Sequence, residues 1–538
     1  MRQKNRPYPY YDTLEQLTTL REMVDVKTAK IPDQTAFGWF EGDKEIKRTY
    51  REFQEDMEKI AVYLILRGFE RAHLALIGEN SYKWLCVYMA IACTRNVAVV
   101  LDKDMPDEEI LDVLERMDAK TIFASDALFT LKKRSGLTEH GEEWKSFSDL
   151  EKESDTIRET EPEKWNKAYE TYKALTISPE DTASIFLTSG TTGKRKGVML
   201  SHKNIMADIN GSSRLFIPSG QVLVVLPFHH AFGLVVALWM VYNYEYPSYI
   251  NSGLRRITKE LALAKPQTMM MVPLFVETFH KQIWATARKQ GKEKTLRTAM
   301  KISDFLLKFG IDLRKKFFKD IQNTFGGNLD FIICGGAPLD PMYVKEFRSF
   351  GVEILNGYGT TECSPCASVN RNDYKKDGTI GVSLPDVQFK VADDGEVWIK
   401  GDIVMQGYYK DPEATAAVLK DGWYATGDLG HIDEDGFITL TGRKKNLIIL
   451  ASGENVSPEE LEEKLLRDPL IEEVIVREEN GEIAAEIYNS QLSDETKSEI
   501  EKSVERFNKT IPMYKRITKI HFRDTEFEKT TTKKIKRS

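Results

Sequence analysis

Leu187-Thr188-Ser189-Gly190-Thr191-Thr192-Gly193-Lys194-Arg195-Lys196-Gly197 lies between two short apolar runs, residues 183–187 and 198–200. Short apolar runs bounded by polar residues read as buried strands. The stretch between them holds hydroxyls, glycines and cations and almost nothing apolar. Glycine lets backbone N–H groups come close to an anion, and serine and threonine add hydroxyl donors. Lysine brings charge to phosphate oxygens. The loop is therefore built to hold a polyphosphate, most simply that of ATP. It is not the common P-loop, because counting from Gly190 puts Arg195 where the second glycine of G-x-x-x-x-G-K-[ST] belongs. Taken alone, a flexible Gly/Ser/Thr surface turn is the alternative.

Upstream of the loop, strand and helix alternate. Residues 50–67 form an amphipathic helix with Phe53, Met57, Ile60 and Leu64 on one face, and Gly68 is placed to end it. Strands follow at 73–77, 97–101 and 121–124, with a helix at 81–94 and another opened by Pro106, whose first turn carries Asp107, Glu108 and Glu109. Such alternation makes a parallel sheet covered on both faces. Residues 142–181 are charged and poor in aliphatics, a solvated helical excursion before the loop.

The 538 residues are 41% hydrophobic and 30% charged, long enough for two or more domains. A formal charge of −7 is mild and argues against a broad nucleic-acid footprint. Residues 1–12 have no apolar signal core. The most apolar run, 222–242, is interrupted by Pro227, His229, His230 and Gly233, a poor membrane span. Five cysteines, odd in number and sparse, suit a reducing cytoplasm.

Downstream, residues 222–233 run from a strand into a turn with paired histidines. Residues 281–325 form a long helical stretch rich in lysine and arginine. It reads as a covering helix with a solvated face, or as a basic amphipathic surface that meets an anionic membrane. A strand at 331–334 leads into Gly335-Gly336-Ala337-Pro338, and a strand at 352–355 into Asn356-Gly357-Tyr358-Gly359-Thr360-Thr361-Glu362. Glycine-rich turns at strand C-termini are where ligands settle in open α/β sheets. Cys363-Ser364-Pro365-Cys366 has neither a second pair nor an exposed dithiol that would mark a zinc or redox site. Residues 395–443 read as short strands and turns. Beyond them comes a compact second domain, with a capping box at Ser457-Pro458-Glu459-Glu460, strands at 473–477, 483–488 and 517–522, and a helix at 494–508.

Residues 188–197, with these later motifs in the same order, resemble the adenylate-forming superfamily of acyl-CoA synthetases, adenylation domains and firefly-type luciferases. Bacterial long-chain fatty acyl-CoA synthetases are the branch suggested by the insertion at 281–325. The resemblance implies an α/β fold. Its large N-terminal domain (1–442) has two helix-covered, parallel-rich sheets plus a small β-subdomain, and its small mobile α+β C-terminal domain spans 443–538. Thr188, Ser189, Gly190, Thr191, Thr192, Gly193 and Lys196 would hold the phosphates of ATP, with Arg195 where the family has proline. His230 would be a wall and positioning residue near the substrate carboxylate. Gly335, Gly336, Ala337 and Pro338 would lie against adenine, and the small residues of the family at the Cys363–Cys366 position would border the acyl pocket. Tyr358 would stack on adenine beside Gly359, and Thr361 would face the α-phosphate. Glu362, with Thr188, would hold Mg2+. Asp428, in Tyr424-Ala425-Thr426-Gly427-Asp428, and Arg443 would bind the ribose hydroxyls. Lys445 would be the hinge. In the C-terminal K-T-x-T-G-K-I pattern, Lys534 falls on the catalytic lysine. Lys533 replaces the family glycine and is the alternative bearer of that role.

The implied activity is a ligase that turns a long- or medium-chain acid and ATP into acyl-AMP and pyrophosphate, then passes the acyl group to the thiol of CoA. Two rivals stand beside it: loading of a separate acyl carrier protein, and a catalytically silent nucleotide-binding relative. A peripheral membrane contact is the further expected partner, with a cytoplasmic or membrane-associated location.

Overall fold

The computed structural model describes residues 8–189, 194–450, 454–529, 535 and 537, with Ser189 described by its backbone only. Gly190, Thr191, Thr192, Gly193, Lys533 and Lys534 thus lie outside the described residues. The chain divides into two compact units, one of Met1–Gln388 with Ile399–Tyr424, the other of Phe389–Trp398 with Ala425–Ser538. The division falls within the short strands Glu396–Lys400 and Trp423–Ile432, earlier in the chain than the motif-based boundary at 442/443.

Two large sheets lie in the first unit among the described residues. In the seven-stranded sheet, His73–Ile77 lies between Val97–Leu101 and Thr121–Ala124, and all three run parallel. The apolar runs expected to be strands are strands because both faces are covered. Val97–Leu101 and Thr121–Ala124 are buried throughout. Helix Tyr50–Leu66 starts at a complete capping box, with Thr49 and Glu52 exchanging backbone hydrogen bonds, and buries Phe53, Met57, Ile60 and Leu64. The strands flanking the glycine-rich loop are Thr182–Ser189 and Arg195–Ser201, an antiparallel hairpin whose first strand runs parallel to Val97–Leu101.

The nine-stranded sheet carries Val222–Val224, Thr268–Met271, Phe331–Cys334 and Glu353–Tyr358 side by side in parallel register. The last of these runs further than the sequence pattern suggests. Gly357 and Tyr358 pair antiparallel with Val369 and Ser368, so tertiary pairing extends the strand through a glycine. Residues 281–325 are not one long helix. Helices Pro273–Lys289 and Glu293–Leu307 are separated at Gly291 (φ +66°), and Gly310 (φ +76°) follows the second before two short helices, Arg314–Phe317 and Lys319–Thr324. The apolar run at 222–242 becomes a short strand, a turn and a buried helical segment. No helix among the described residues is long and apolar enough to cross a membrane.

The second unit contains a three-stranded sheet of Glu473–Glu479, Glu482–Tyr488 and Ile517–Arg523, with helices Pro458–Leu465 and Asp494–Asn508. Ile500 and Val504 join its core cluster with Leu461, Val474 and Ile487. The expected capping box at Ser457 is only half made. Ser457 accepts from the Glu460 N–H at 3.5 Å, but the Glu460 carboxylate accepts instead from Lys464 and Lys515. Two ammonium partners outbid a return bond to the cap backbone.

Candidate active site

The hairpin register sets Thr188 opposite Lys196 and Leu187 opposite Gly197. The far edge of Arg195–Ser201 is taken by the two-residue strand Gly407–Tyr408, with Tyr408 opposite Val198. This pairing delivers a residue that no motif marked. The Lys196 ammonium stands 4.7 Å from the centre of the Tyr408 ring, a cation–π contact. The Tyr408 hydroxyl donates to Glu362 Oε1 at 2.9 Å. Burial, and then the neighbouring Glu362 charge, push the Tyr408 phenol up, so it remains a donor at neutral pH. The Met405 N–H also donates to the Glu362 carbonyl at 2.9 Å. Thr188, Lys196, Tyr408 and Glu362 are thus joined by strand pairing and direct contacts.

Arg195 is held from two sides. Its Nε donates to Glu109 at 2.6 Å, and Arg116 donates to its carbonyl at 2.8 Å. Both partners belong to helix Asp107–Arg116. An ion pair and a backbone bond restrain this end of the loop.

A second group forms where parallel strands end. After Val222–Val224 the chain turns through Pro227 to His229 and His230, and Asn80 holds the turn by bonding the Leu226 carbonyl and the Phe228 N–H. The His229 and His230 rings lie 4.2 Å apart. His229 Nε2 is 3.6 Å from Asp102 Oδ1, at the end of Val97–Leu101 in the other sheet. Burial lowers His229. Burial also works to raise Asp102, but the charge of His229 and the Asp104 N–H outweigh it and hold that carboxyl below its ordinary value. The Arg195 charge adds a smaller lowering to both groups.

Gly335 and Gly336 follow strand Phe331–Cys334. A Cβ on Gly335 would stand 3.3 Å from the Gly357 carbonyl and 3.6 Å from the Phe232 ring. So the turn at 335–336, the end of strand Glu353–Tyr358 and the histidine turn meet at one edge of the nine-stranded sheet. Gly336 and Pro338 are exposed there, and Tyr358, Thr361 and Glu362 are partly exposed. Gly359 is required by close approach, since a Cβ there would fall 1.9 Å from the Pro365 carbonyl oxygen. Gly359→Ala is therefore expected to destabilise the first unit by about 1–3 kcal/mol and to displace Tyr358 and Glu362. Thermal unfolding and nucleotide binding measured together would check it; an unchanged midpoint with normal binding would contradict it.

Cys363 and Cys366 are free thiols, and burial pushes both up. Among the described residues no group of three or more histidine, cysteine, aspartate and glutamate side chains could hold a metal ion. A Mg2+ ion suits Glu362 in a different way. This ion keeps several waters and takes one or two carboxylates plus substrate phosphates, not a protein cage. Tyr408 occupies Oε1 of Glu362, and no hydrogen bond reaches Oε2 from the described residues.

In the second unit, Asp428 and Arg443 are register partners, and Arg443 Nε lies 2.8 Å from Asp428 Oδ1. Asp428 is buried and Arg443 half-exposed. Glu396, unmarked by any motif, accepts from the Gly427 N–H at 2.9 Å and from Lys444 at 2.9 Å, which fixes the turn before Asp428. Lys445 is exposed in the short helical turn Lys444–Asn446.

Lys534 is flanked by anchored residues. Lys529 bridges to Ile535 in antiparallel fashion and pairs with Glu473. Arg537 pairs with Glu462 and donates to the Val476 carbonyl at 3.3 Å. Burial pushes Glu462 up to about 7, against the lowering charge of Arg537. The raised value means the folded unit keeps a proton that the unfolded chain releases near pH 4.5. Glu462 thus contributes stability below that pH, and the contribution is lost as pH rises to about 7, by at most about 3 kcal/mol. With Glu462→Gln, the fall in unfolding midpoint between pH 5 and pH 8 is expected to shrink. An undiminished fall would show that another group carries it.

Residues 24–409 match the family model described as AMP-binding enzyme, and residues 445–538 match the model described as AMP-binding enzyme C-terminal domain. A long-chain-fatty-acid–CoA ligase of Mycobacterium bovis is 29% identical over 454 residues, covering 80% of this chain and 74% of that protein. A chloroplastic long-chain-fatty-acid–[acyl-carrier-protein] ligase of Arabidopsis thaliana is 27% identical over 522 residues, covering 81% and 71%. Among solved structures, o-succinylbenzoate CoA synthetase of Bacillus subtilis bound to its acyl-adenylate intermediate superposes with a TM-score of 0.74 at 20% identity, covering 95% of this chain and 96% of that one. The same enzyme in complex with ATP and magnesium ion gives 0.72 at 19% identity, covering 95% and 98%. These likenesses establish the α/β fold with its separate C-terminal part.

Proposed function

The chain belongs to the AMP-binding enzyme family, and from that premise we propose that it is an AMP-forming ligase that joins a long- or medium-chain fatty acid to CoA. The observation that carries the reading is the group Thr188, Lys196, Tyr408 and Glu362, two hydroxyls, a cation and a carboxylate gathered at the base of the glycine-rich loop. The curated relatives named as long-chain acid ligases support the choice of acid.

The acid needs no general base, because a carboxylate is ionised at neutral pH. Its attack on the α-phosphorus of ATP forms the acyl–phosphate bond, breaks the α–β bridge and releases pyrophosphate. Thr188 and Lys196 hold phosphate oxygens, and Thr361 orients the α-phosphate. Tyr358 and the turn Gly335-Gly336-Ala337-Pro338 hold the adenine, and Asp428 with Arg443 the ribose. Mg2+ bound through Glu362, with Thr188 as the second candidate ligand, would supply charge for the developing oxyanion. Tyr408 keeps the Glu362 carboxylate oriented. His230 walls the carboxylate end of the acid site. Lys534 meets the charge on the phosphate in this first step. The domain beyond Lys445 then turns, removing Lys534 and admitting the CoA thiol, which displaces AMP. The reading includes a cytoplasmic protein that contacts membrane lipid peripherally.

The carrier-protein reading keeps one specific support, the Arabidopsis relative. Pyrophosphate release from Mg-ATP, measured with acids from acetate to palmitate and with CoA or an acyl carrier protein as acceptor, separates the readings. Release with long or medium acids that rises with CoA supports the ligase. Release that rises only with the carrier protein replaces CoA by that acceptor. ATP binding with no acid-dependent release would make the chain a silent relative.

A further inference from the structure

Several of the large apolar side chains that the first unit leaves in water lie close together in sequence. Ile302, Phe305 and Phe309 are 48%, 58% and 68% exposed, and Ile311 and Phe317 follow at 48% and 43%. The Phe305 and Phe309 rings meet edge to face at 5.1 Å. Helix Glu293–Leu307 has already spent its other face on the core, where Leu296, Ala299 and Met300 pack and Ser303 is buried. At about 100° per residue, Lys294, Lys301 and Lys308 fall on one flank of Phe305, and Ile302 and Phe309 on the other, all within about 60°. The outward stripe is therefore sorted lengthwise into a cationic edge and an apolar edge.

The cations are not consumed internally. Arg297 pairs with Glu293, Arg314 with Asp312 and Glu353, and Lys315 with Asp330. Lys294, Lys301, Lys308, Lys316 and Lys319 form no ion pair with any described residue. On a chain of net charge −7, this is a local reversal of sign.

We propose that helix Glu293–Leu307 and the segment through Phe317 form a docking surface for the face of an anionic lipid bilayer, with Phe305 and Phe309 entering the interface and Lys294, Lys301 and Lys308 meeting lipid phosphates. A helix that lies in the interface plane needs this combination of bulky apolar side chains beside lysines. A second copy of the chain fits less well. A two-fold contact through this stripe would bury its lysine edge against either the same lysines or the apolar edge, with no acidic partner in either case. Nucleic acid would leave Phe305, Phe309 and Ile302 exposed to the phosphate backbone with no partner. The contact stands apart from the ligase reading, because vesicle binding is measured without turnover.

The test is flotation of the full chain with phosphatidylcholine vesicles, pure or with about one-third phosphatidylglycerol. Binding is expected only to the anionic vesicles and should fall with added salt. Charge reversal by Lys294→Glu, Lys301→Glu and Lys308→Glu together should weaken it roughly 100-fold, and Phe305→Ser with Phe309→Ser roughly tenfold or more. These side chains are exposed, so both variants should keep the wild-type unfolding midpoint and pyrophosphate release with water-soluble hexanoate. No binding of the wild-type chain to anionic vesicles would overturn the proposal. So would equal binding by either variant at an unchanged midpoint, or a wild-type dimer that the phenylalanine variant converts to monomer. Vesicle binding without acid-dependent release would retain this surface and remove the ligase reading alone.

Discussion

Lys534→Ala is expected to lower acid-dependent pyrophosphate release by roughly 100- to 1,000-fold while thioester formation from supplied acyl-AMP continues near its normal rate. The asymmetry is the informative part. In the proposed cycle Lys534 meets the charge that builds on the phosphate during adenylation and is withdrawn before the thiol attacks and AMP leaves, so only the first step loses its help. A merely structural lysine would depress both steps together. Lys529 and Arg537 on either side are tied to Glu473 and Glu462, so the substitution leaves the flanking anchors in place. Lys533→Ala provides the comparison. If that variant shows the split and Lys534→Ala does not, the role belongs to Lys533.

Glu362→Gln should have an effect of similar size on the same step, roughly 100-fold, together with a higher Mg2+ concentration for half-maximal rate. The amide keeps the shape and can still accept from Tyr408, so the change isolates the charge. Tyr408→Phe is the graded partner experiment. It leaves the carboxylate and removes one hydrogen bond to a charged group, for an expected loss of roughly tenfold. Mg2+ dependence unchanged in Glu362→Gln would remove Glu362 from the metal site. A larger loss in Tyr408→Phe than in Glu362→Gln would shift weight from the charge to the packing of Tyr408 under Lys196.

The loop strands, the parallel alternation before them and the strand at Phe331–Cys334 were legible because apolar runs of that length, covered on both faces, have one good solution. The helix Tyr50–Leu66 was legible from the period of Phe53, Met57, Ile60 and Leu64. The order of glycine-rich turns after strands pointed to one edge of a sheet, and Gly335, Gly357 and Phe232 do meet there. Other features had no local signal. Tyr408 reaches Glu362 because a two-residue strand adds to the hairpin edge from more than 200 residues away in sequence. The strand through Gly357 and Tyr358 contradicts the propensity of glycine and exists because Ser368 and Val369 pair with it. Residues 281–325 read as a long helical stretch, but Gly291 and Gly310 at positive φ divide it.

The amino-acid sequence by itself determined the chemistry of the loop, the succession of strands and helices, and the family, because these depend on residue types at short spacing. Tertiary structure alone decided how Arg195 is held by Glu109 and Arg116, how Asp102 meets His229 between two sheets, and how Glu396 braces the turn before Asp428. The physical reason is the same in each case. A hydrogen bond or ion pair acts over about 3 Å, and which distant side chain comes within that reach is set by strand pairing and packing, not by any pattern along the chain.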